Sequence, residues 1–246
     1  MSSKFHFSDL PIDNLSFEET LDLIDNVIEA NNSVTLTDVN AGKIIQIRED
    51  SVLKNYVLQS DVIQADGQSL IWASKILGSP LKERVAGIDL IPEIMKIASK
   101  KDRKVYFLGA KHEVVREVVM KFKDLYGENI IAGYRDGYFD HNHSLEIANE
   151  IVSTNASILF VGMTSPLQEK FLFENHEILK SLNFKMGVGG SFDVIAGKVK
   201  RAPVWMQKYG LEWFYRFMQE PKRMWKRYLI GNTKFILLVV KEKLKK

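Results

Sequence analysis

The chain has 246 residues, 46% hydrophobic and 26% charged, an ordinary globular composition with room for a substantial buried core. It contains no cysteine, which excludes disulfides and thiolate metal sites and leaves a reducing compartment as the mild default. The net charge of +3 hides an asymmetry: residues 201–246 hold 12 Lys/Arg against 3 Asp/Glu, whereas the first 200 hold 22 against 28, so an acidic body carries a basic tail.

The start, "MSSKFHFSDLPIDN", has neither the charged opening nor the apolar run of a signal peptide, and export is not expected. Ser16 followed by "FEETLDLIDNVIEA" reads as a capped amphipathic helix with Phe17, Leu21, Ile24, Val27 and Ile28 on one face. "SVTLT" reads as a short strand and "KIIQI" as part of a helix. The β-rich runs 61–65, 104–110, 129–134, 157–163 and 184–189 follow, separated by helical stretches such as "IDLIPEIMKIASK", "HEVVREVVMKFKDLY" and "SLEIANEIVSTN". This alternation predicts an α/β fold, a mainly parallel Rossmann-like sheet flanked by helices over residues 1–200. Residues 201–246 form a basic, aromatic appendage.

In such sheets ligands bind beyond the carboxyl ends of the strands. Candidate residues therefore lie in the loops that follow them: Asp66 in "ADG", Gly109 in "LGAKHE", Arg135 and Asp136 in "GYRDGYF", Gln168 and Glu169 in "GMTSPLQEK", and Gly189 and Gly190 in "VGGSFDVIAG". Asp66 can accept a proton from a substrate hydroxyl or merely cap the next helix. Arg84 suits phosphate or carboxylate recognition, or a surface ion pair. Gln168 can bind a sugar hydroxyl or a uracil edge, while Glu169 fits a first-turn acid that supports the helix dipole. The glycine-rich stretch permits close approach to a ligand, with Lys198, Lys200 and Arg201 near for phosphates, or is simply a turn. His141 and His143 in "FDHNHS" read as a solvated loop rather than a metal pair. No G-x-G-x-x-G or G-x-x-x-x-G-K-[ST] pattern occurs, and no D-x-D pair, so neither a nicotinamide enzyme nor a P-loop is expected, and a departing diphosphate would be neutralised by amides and cations. No cofactor is expected.

The tail gathers Trp205, Trp213 and Trp225 among Arg216, Lys222, Arg223, Lys226 and Arg227. Placed on a helix, Leu211, Phe214, Phe217, Met218, Pro221, Met224, Trp225, Tyr228 and Leu229 share one stripe, with Pro221 kinking the helix or opening a second. That composition suits a helix lying in a membrane interface, or a helical pair packed on the domain or on another subunit; nucleic acid would not need so continuous an apolar stripe. "FILLVV" at 235–240 falls far short of the roughly 20 residues that cross a bilayer, so no spanning segment is expected.

In this order the motifs resemble the WecG/TagA/CpsF family of bacterial glycosyltransferases. The match is carried by "ADG" (65–67), "RVAGIDL" (84–90), "FLGAKHEV" (107–114), "GYRDGYF" (133–139), "VGMTSPLQEKF" (161–171), "GVGGSFDVIAGKVKRAP" (187–203) and "GLEWFYRFMQEPKRMWKRYLIGN" (210–232). The resemblance implies an inverting, metal-independent transfer of N-acetylmannosamine or its uronic acid from UDP to undecaprenyl-diphosphate-linked N-acetylglucosamine, in cell-surface polysaccharide or teichoic acid synthesis. It implies a peripheral enzyme on the inner face of the cell membrane. Asp66 falls at the family's general base, and Arg84 and Gln168 at substrate-binding positions. Where family members often read T-x-N this chain reads "DVN", placing Asp38 where Thr is usual and keeping Asn40, which changes the charge at the sugar pocket. Arg216, Arg223, Lys226 and Arg227, with Trp213 and Trp225, are the expected contacts to membrane and acceptor diphosphate. Alternatives are another UDP-hexose donor or lipid-linked acceptor, a UDP-sugar epimerase, or a non-catalytic membrane adaptor. A homo-oligomer is compatible with each.

Overall fold

The structure is a computed structural model describing residues 3–221, 225 and 231–245. Its centre is a six-stranded, wholly parallel sheet. In chain order its strands are β3 (Val34–Val39), β4 (Val62–Ala65), β5 (Val105–Gly109), β6 (Ile131–Arg135), β7 (Ile158–Gly162) and β8 (Phe184–Gly187), in the spatial order β4-β3-β8-β7-β5-β6. Ahead of it lies an antiparallel hairpin, β1 (Lys4–Phe7) and β2 (Leu10–Asp13). Sequence reading missed this hairpin because its turn, Ser8-Asp9, takes positive φ at both residues without the Asn-Gly or Asp-Gly pair that signals such turns.

Both sheet faces are covered, which explains why "ILFVG" and "VYFLG" are apolar throughout rather than alternating. Successive strand residues point to opposite faces. Phe107 and Phe160 join Phe184 and Met186 beneath α1 (Phe17–Glu29), α5 (Gly87–Lys100), α6 (His112–Tyr126) and α10 (Ser191–Ile195). Leu108 and Val161 face α7 (Ser144–Ser153), α8 (Leu167–Glu174) and α9 (His176–Leu179). The helix predicted after Ser16 is α1, closed by a capping box in which Ser16 Oγ accepts from Glu19 N at 3.1 Å and Glu19 Oε2 from Ser16 N at 2.8 Å.

A third cluster joins the hairpin to α2 (Ala41–Glu49), α3 (Ser51–Leu58), α4 (Gln68–Ile76) and a C-terminal helix, Gly231–Leu244. Between α10 and that last helix lie α11 (Val204–Lys208) and α12 (Glu212–Gln219), so the last helix is α13. Its Phe235, Leu238 and Val239 are buried, with Phe235 5.6 Å from the Phe7 ring. Each such burial contributes about 1.5–3 kcal/mol. The "FILLVV" run thus packs on the body, and no helix among the described residues is long and apolar enough to cross a membrane.

The chain leaves β3 into α2 on one face and β8 into α10 on the other. Neighbouring strands whose connections diverge in this way open a crevice beyond their carboxyl ends.

Candidate active site

That crevice is a cleft of about 1330 Å³, above the usual range of small-ligand pockets. Asp38 and Asn40 enter it from the end of β3, Asp66 from the end of β4, and Gly189 and Gly190 from the end of β8. Its remaining wall includes Glu212, Trp213 and Arg216 from α12.

A row of charges runs across the floor. The Asp66 carboxyl lies within the electrostatic reach of Asp38. Asp38 Oδ1 in turn accepts from Lys43 Nζ at 3.1 Å, and Lys43 also pairs with Glu169 Oε1 at 2.9 Å. Burial alone would lower the Lys43 pKa, but Asp38 and Glu169 more than reverse this and hold it as an ammonium. Burial likewise pushes the Glu169 carboxyl up, and Lys43 and Gln168 together bring it below its ordinary value. Asp66 shifts the other way. Desolvation at the cleft floor, then the like charge of Asp38, raise it well above the carboxylate range, with Arg84 opposing and Glu212 reinforcing. Asn40 lines the cleft while its Oδ1 caps α2, accepting from Lys43 N at 3.1 Å.

Gln168 lines the cleft but is buried, and both ends of its amide are engaged: Nε2 donates to Glu169 Oε1 at 2.9 Å and Oε1 accepts from Gly189 N at 3.0 Å. It latches the loop after β8 and orients Glu169. A Cβ at Gly187 would lie 2.7 Å from that amide, so glycine is required there for the latch to close.

On the opposite side a second network joins body and tail. Arg84 Nη1 donates to Glu212 Oε2 at 2.8 Å; Arg201 grips Asp89 in a two-pronged pair at 2.5 and 2.7 Å and reaches Glu212 Oε1 at 3.3 Å. Arg84 and Arg201 thus stand in the cleft wall already paired. Arg216 differs: its Nε is buried without a hydrogen-bond partner, and its Nη2 lies 2.7 Å from where a Gly190 Cβ would be. The glycine loop leaves room for this guanidinium.

Several other candidates lie outside the cleft. Gly109, at φ +129°, lets β5 approach β7 so closely that a Cβ would sit 2.4 Å from the Gly162 carbonyl oxygen, a packing requirement. Arg135 pairs with Glu150 at 3.0 Å and Asp136 accepts from Tyr138 N at 2.9 Å, both outside the cleft lining. His141 lines the cleft, whereas His143 binds Glu146 at 2.9 Å, and no metal-holding group of three acidic or histidine side chains occurs among the described residues. Trp213 and Trp225 are 39% and 43% exposed. Arg223, Lys226 and Arg227 lie outside the described residues. α12 ends at Gln219, with Glu220 out of helical geometry ahead of Pro221, where the sequence predicts a kink or a new start; Met224, Tyr228 and Leu229 of the expected stripe lie outside the described residues.

Sequence reading passed over Lys43, Asp89 and Glu212. Two of them carried a signal. A lysine in the first turn of α2 opposes the helix dipole and calls for a specific partner, and Glu212 is one of only three acids in the basic tail.

A parallel α/β sheet whose strand ends bring together two aspartates, a glycine loop and several arginines in one cleft has the general form of an α/β enzyme. The chain belongs to the glycosyl transferase WecG/TagA/CpsF family, whose pattern matches residues 5–246, and is a glycosyltransferase. It is 34% identical over 234 residues to the N-acetylglucosaminyldiphosphoundecaprenol N-acetyl-beta-D-mannosaminyltransferase of Bacillus subtilis (strain 168), covering 95% of this chain and 90% of that one. It is 35% identical over 182 residues to the protein of the same name from Bacillus spizizenii, covering 74% and 69%.

Proposed function

We propose that this glycosyltransferase moves N-acetylmannosamine, or its uronic acid, from UDP to undecaprenyl-diphosphate-linked N-acetylglucosamine, with inversion and without a metal, on the inner face of the cell membrane. The observation that carries the reading is Asp66: a carboxylate at the floor of a strand-end cleft, made more basic than usual by burial and by Asp38. Base strength nearer the working pH suits proton abstraction from an acceptor hydroxyl. The hydroxyl oxygen attacks the anomeric carbon as its proton passes to Asp66, and the bond to UDP breaks on the opposite face. Arg216 meets the negative charge that develops on the departing diphosphate, a role its unsatisfied Nε and its place against Gly190 support.

The tail brings this cleft to the lipid. On α12, Trp213, Phe214 and Met218 are exposed although apolar, as a helix lying in the interface requires. Arg223, Lys226 and Arg227 add attraction to anionic headgroups at roughly 1 kcal/mol each.

Purified enzyme incubated with a panel of UDP-sugars and undecaprenyl-diphosphate-N-acetylglucosamine tests the reading by product mass. An acceptor gaining one N-acetylhexosamine or its uronic acid is expected. An epimerised donor formed without acceptor, or transfer of a different sugar class, would overturn it.

A further inference from the structure

The cleft extends beyond its charged floor. Ile236, Val240 and Leu244, each four residues from the next on α13, line the same cavity as Asp66, as do Trp72 and Ile76 on α4, which packs beside α13. All five side chains are large and apolar, yet 46–82% exposed. A contiguous set of this kind marks a binding surface. The groove has a direction, because α4 begins two residues after Asp66 and its stripe from Gln68 to Ile76 leads away from that carboxyl over about 12 Å. Gly210, at φ +70°, lets the turn between α11 and α12 rest against α4: a Cβ there would lie 3.2 Å from the Trp72 ring.

We propose that the groove between α4 and α13 receives the first isoprene units of the acceptor's polyprenyl chain. The inference rests on the acceptor assigned above. Such an acceptor is a sugar and a diphosphate followed immediately by a wholly hydrocarbon chain, and the cleft offers the same succession: carboxylates and arginines, then an apolar gutter continuous with them. The donor has no hydrocarbon portion to place there. Acyl chains of the surrounding bilayer have no reason to follow a channel that leads to Asp66, whereas the acceptor chain must emerge from beside it. Seating these units fixes the sugar hydroxyl over the carboxylate and selects polyprenyl carriers over soluble sugar diphosphates.

The test uses the full chain, with two acceptors that share the diphosphate-N-acetylglucosamine headgroup: one undecaprenyl, in detergent micelles, and one carrying only a two-carbon alkyl group. Ile236→Glu/Val240→Glu alters one wall and Ile76→Ser, a milder change, the other; Leu125→Glu on α6, away from the cleft, is the control. KM for the undecaprenyl acceptor should rise at least tenfold in the groove variants, while turnover of the short acceptor, donor KM and thermal midpoint stay at control values. Equal effects on both acceptors, or none on either, would overturn the proposal. So would loss of anionic-vesicle binding with unchanged KM in micelles, which would make the stripe a membrane contact, or loss of a dimer, which would make it a subunit interface. If the unaltered enzyme turns over neither acceptor, the acceptor assignment fails along with the groove's occupant; a failure of the groove alone is recognised by normal turnover of the unaltered enzyme.

Discussion

At the scale of single residues, the cleft floor depends on Lys43 being charged where a charge is costly. Its two partners, Asp38 and Glu169, leave it only 6% exposed. Lys43→Met strands both carboxylates and should lower stability by about 3–5 kcal/mol in chemical denaturation, whereas Lys43→Met/Glu169→Leu should recover part of the loss. Asp66→Asn keeps the shape of the cleft and removes the proton acceptor. Binding of UDP-sugar should persist by calorimetry while turnover falls about 10²- to 10⁴-fold. The pH dependence follows from the direction of the Asp66 shift. A carboxyl with a raised pKa is protonated below that value and cannot accept, so kcat/KM should fall, as pH drops, well before the ordinary aspartate value of about 3.9 is reached. Asp38→Asn removes the like charge and should move that acid limb to lower pH; an unmoved limb would show that Asp38 does not tune the base.

At the scale of elements, the loops after β3, β4 and β8 hold the site, and their glycines set how closely groups approach. Gly190→Ala puts a methyl where the Arg216 guanidinium now lies, displacing a flexible side chain rather than backbone. Its thermal midpoint should stay near that of the unaltered protein while kcat falls, if Arg216 stabilises the departing UDP. The parallel strands were legible because continuous apolar runs between amphipathic helices admit few other folds, and α1 because Ser16 and Glu19 announce its first turn. Asp66 was legible as a strand-end carboxylate. Its network was not: sequence reading singles out Asp38 and Glu169 separately and Lys43 not at all, because the three meet only when the end of β3, α2 and α8 converge, and no spacing within one segment encodes that meeting. The role of Gln168 was legible only in half: the sequence marks its place, and the closed amide pair that turns it toward Gly189 and Glu169 is tertiary. The docking of α13 on the hairpin was invisible for the same reason, since Phe7 and Phe235 explain each other only as neighbours.

At the scale of the whole molecule, charge and shape divide along the chain. The basic end predicts binding to vesicles rich in anionic lipid, with release as salt rises from about 0.1 M to 1 M and the screening length shrinks from roughly 10 to 3 Å. Flotation of the full chain with anionic and neutral vesicles checks this; equal binding to both would assign attachment to the apolar face alone. The tail also reaches the electrostatics of the site, because Glu212 pairs with Arg84, which draws Asp66 downward, and itself adds a small upward push on that carboxyl. Moving α12 away from the cleft would remove that push as well as open the pocket wall that Glu212, Trp213 and Arg216 supply.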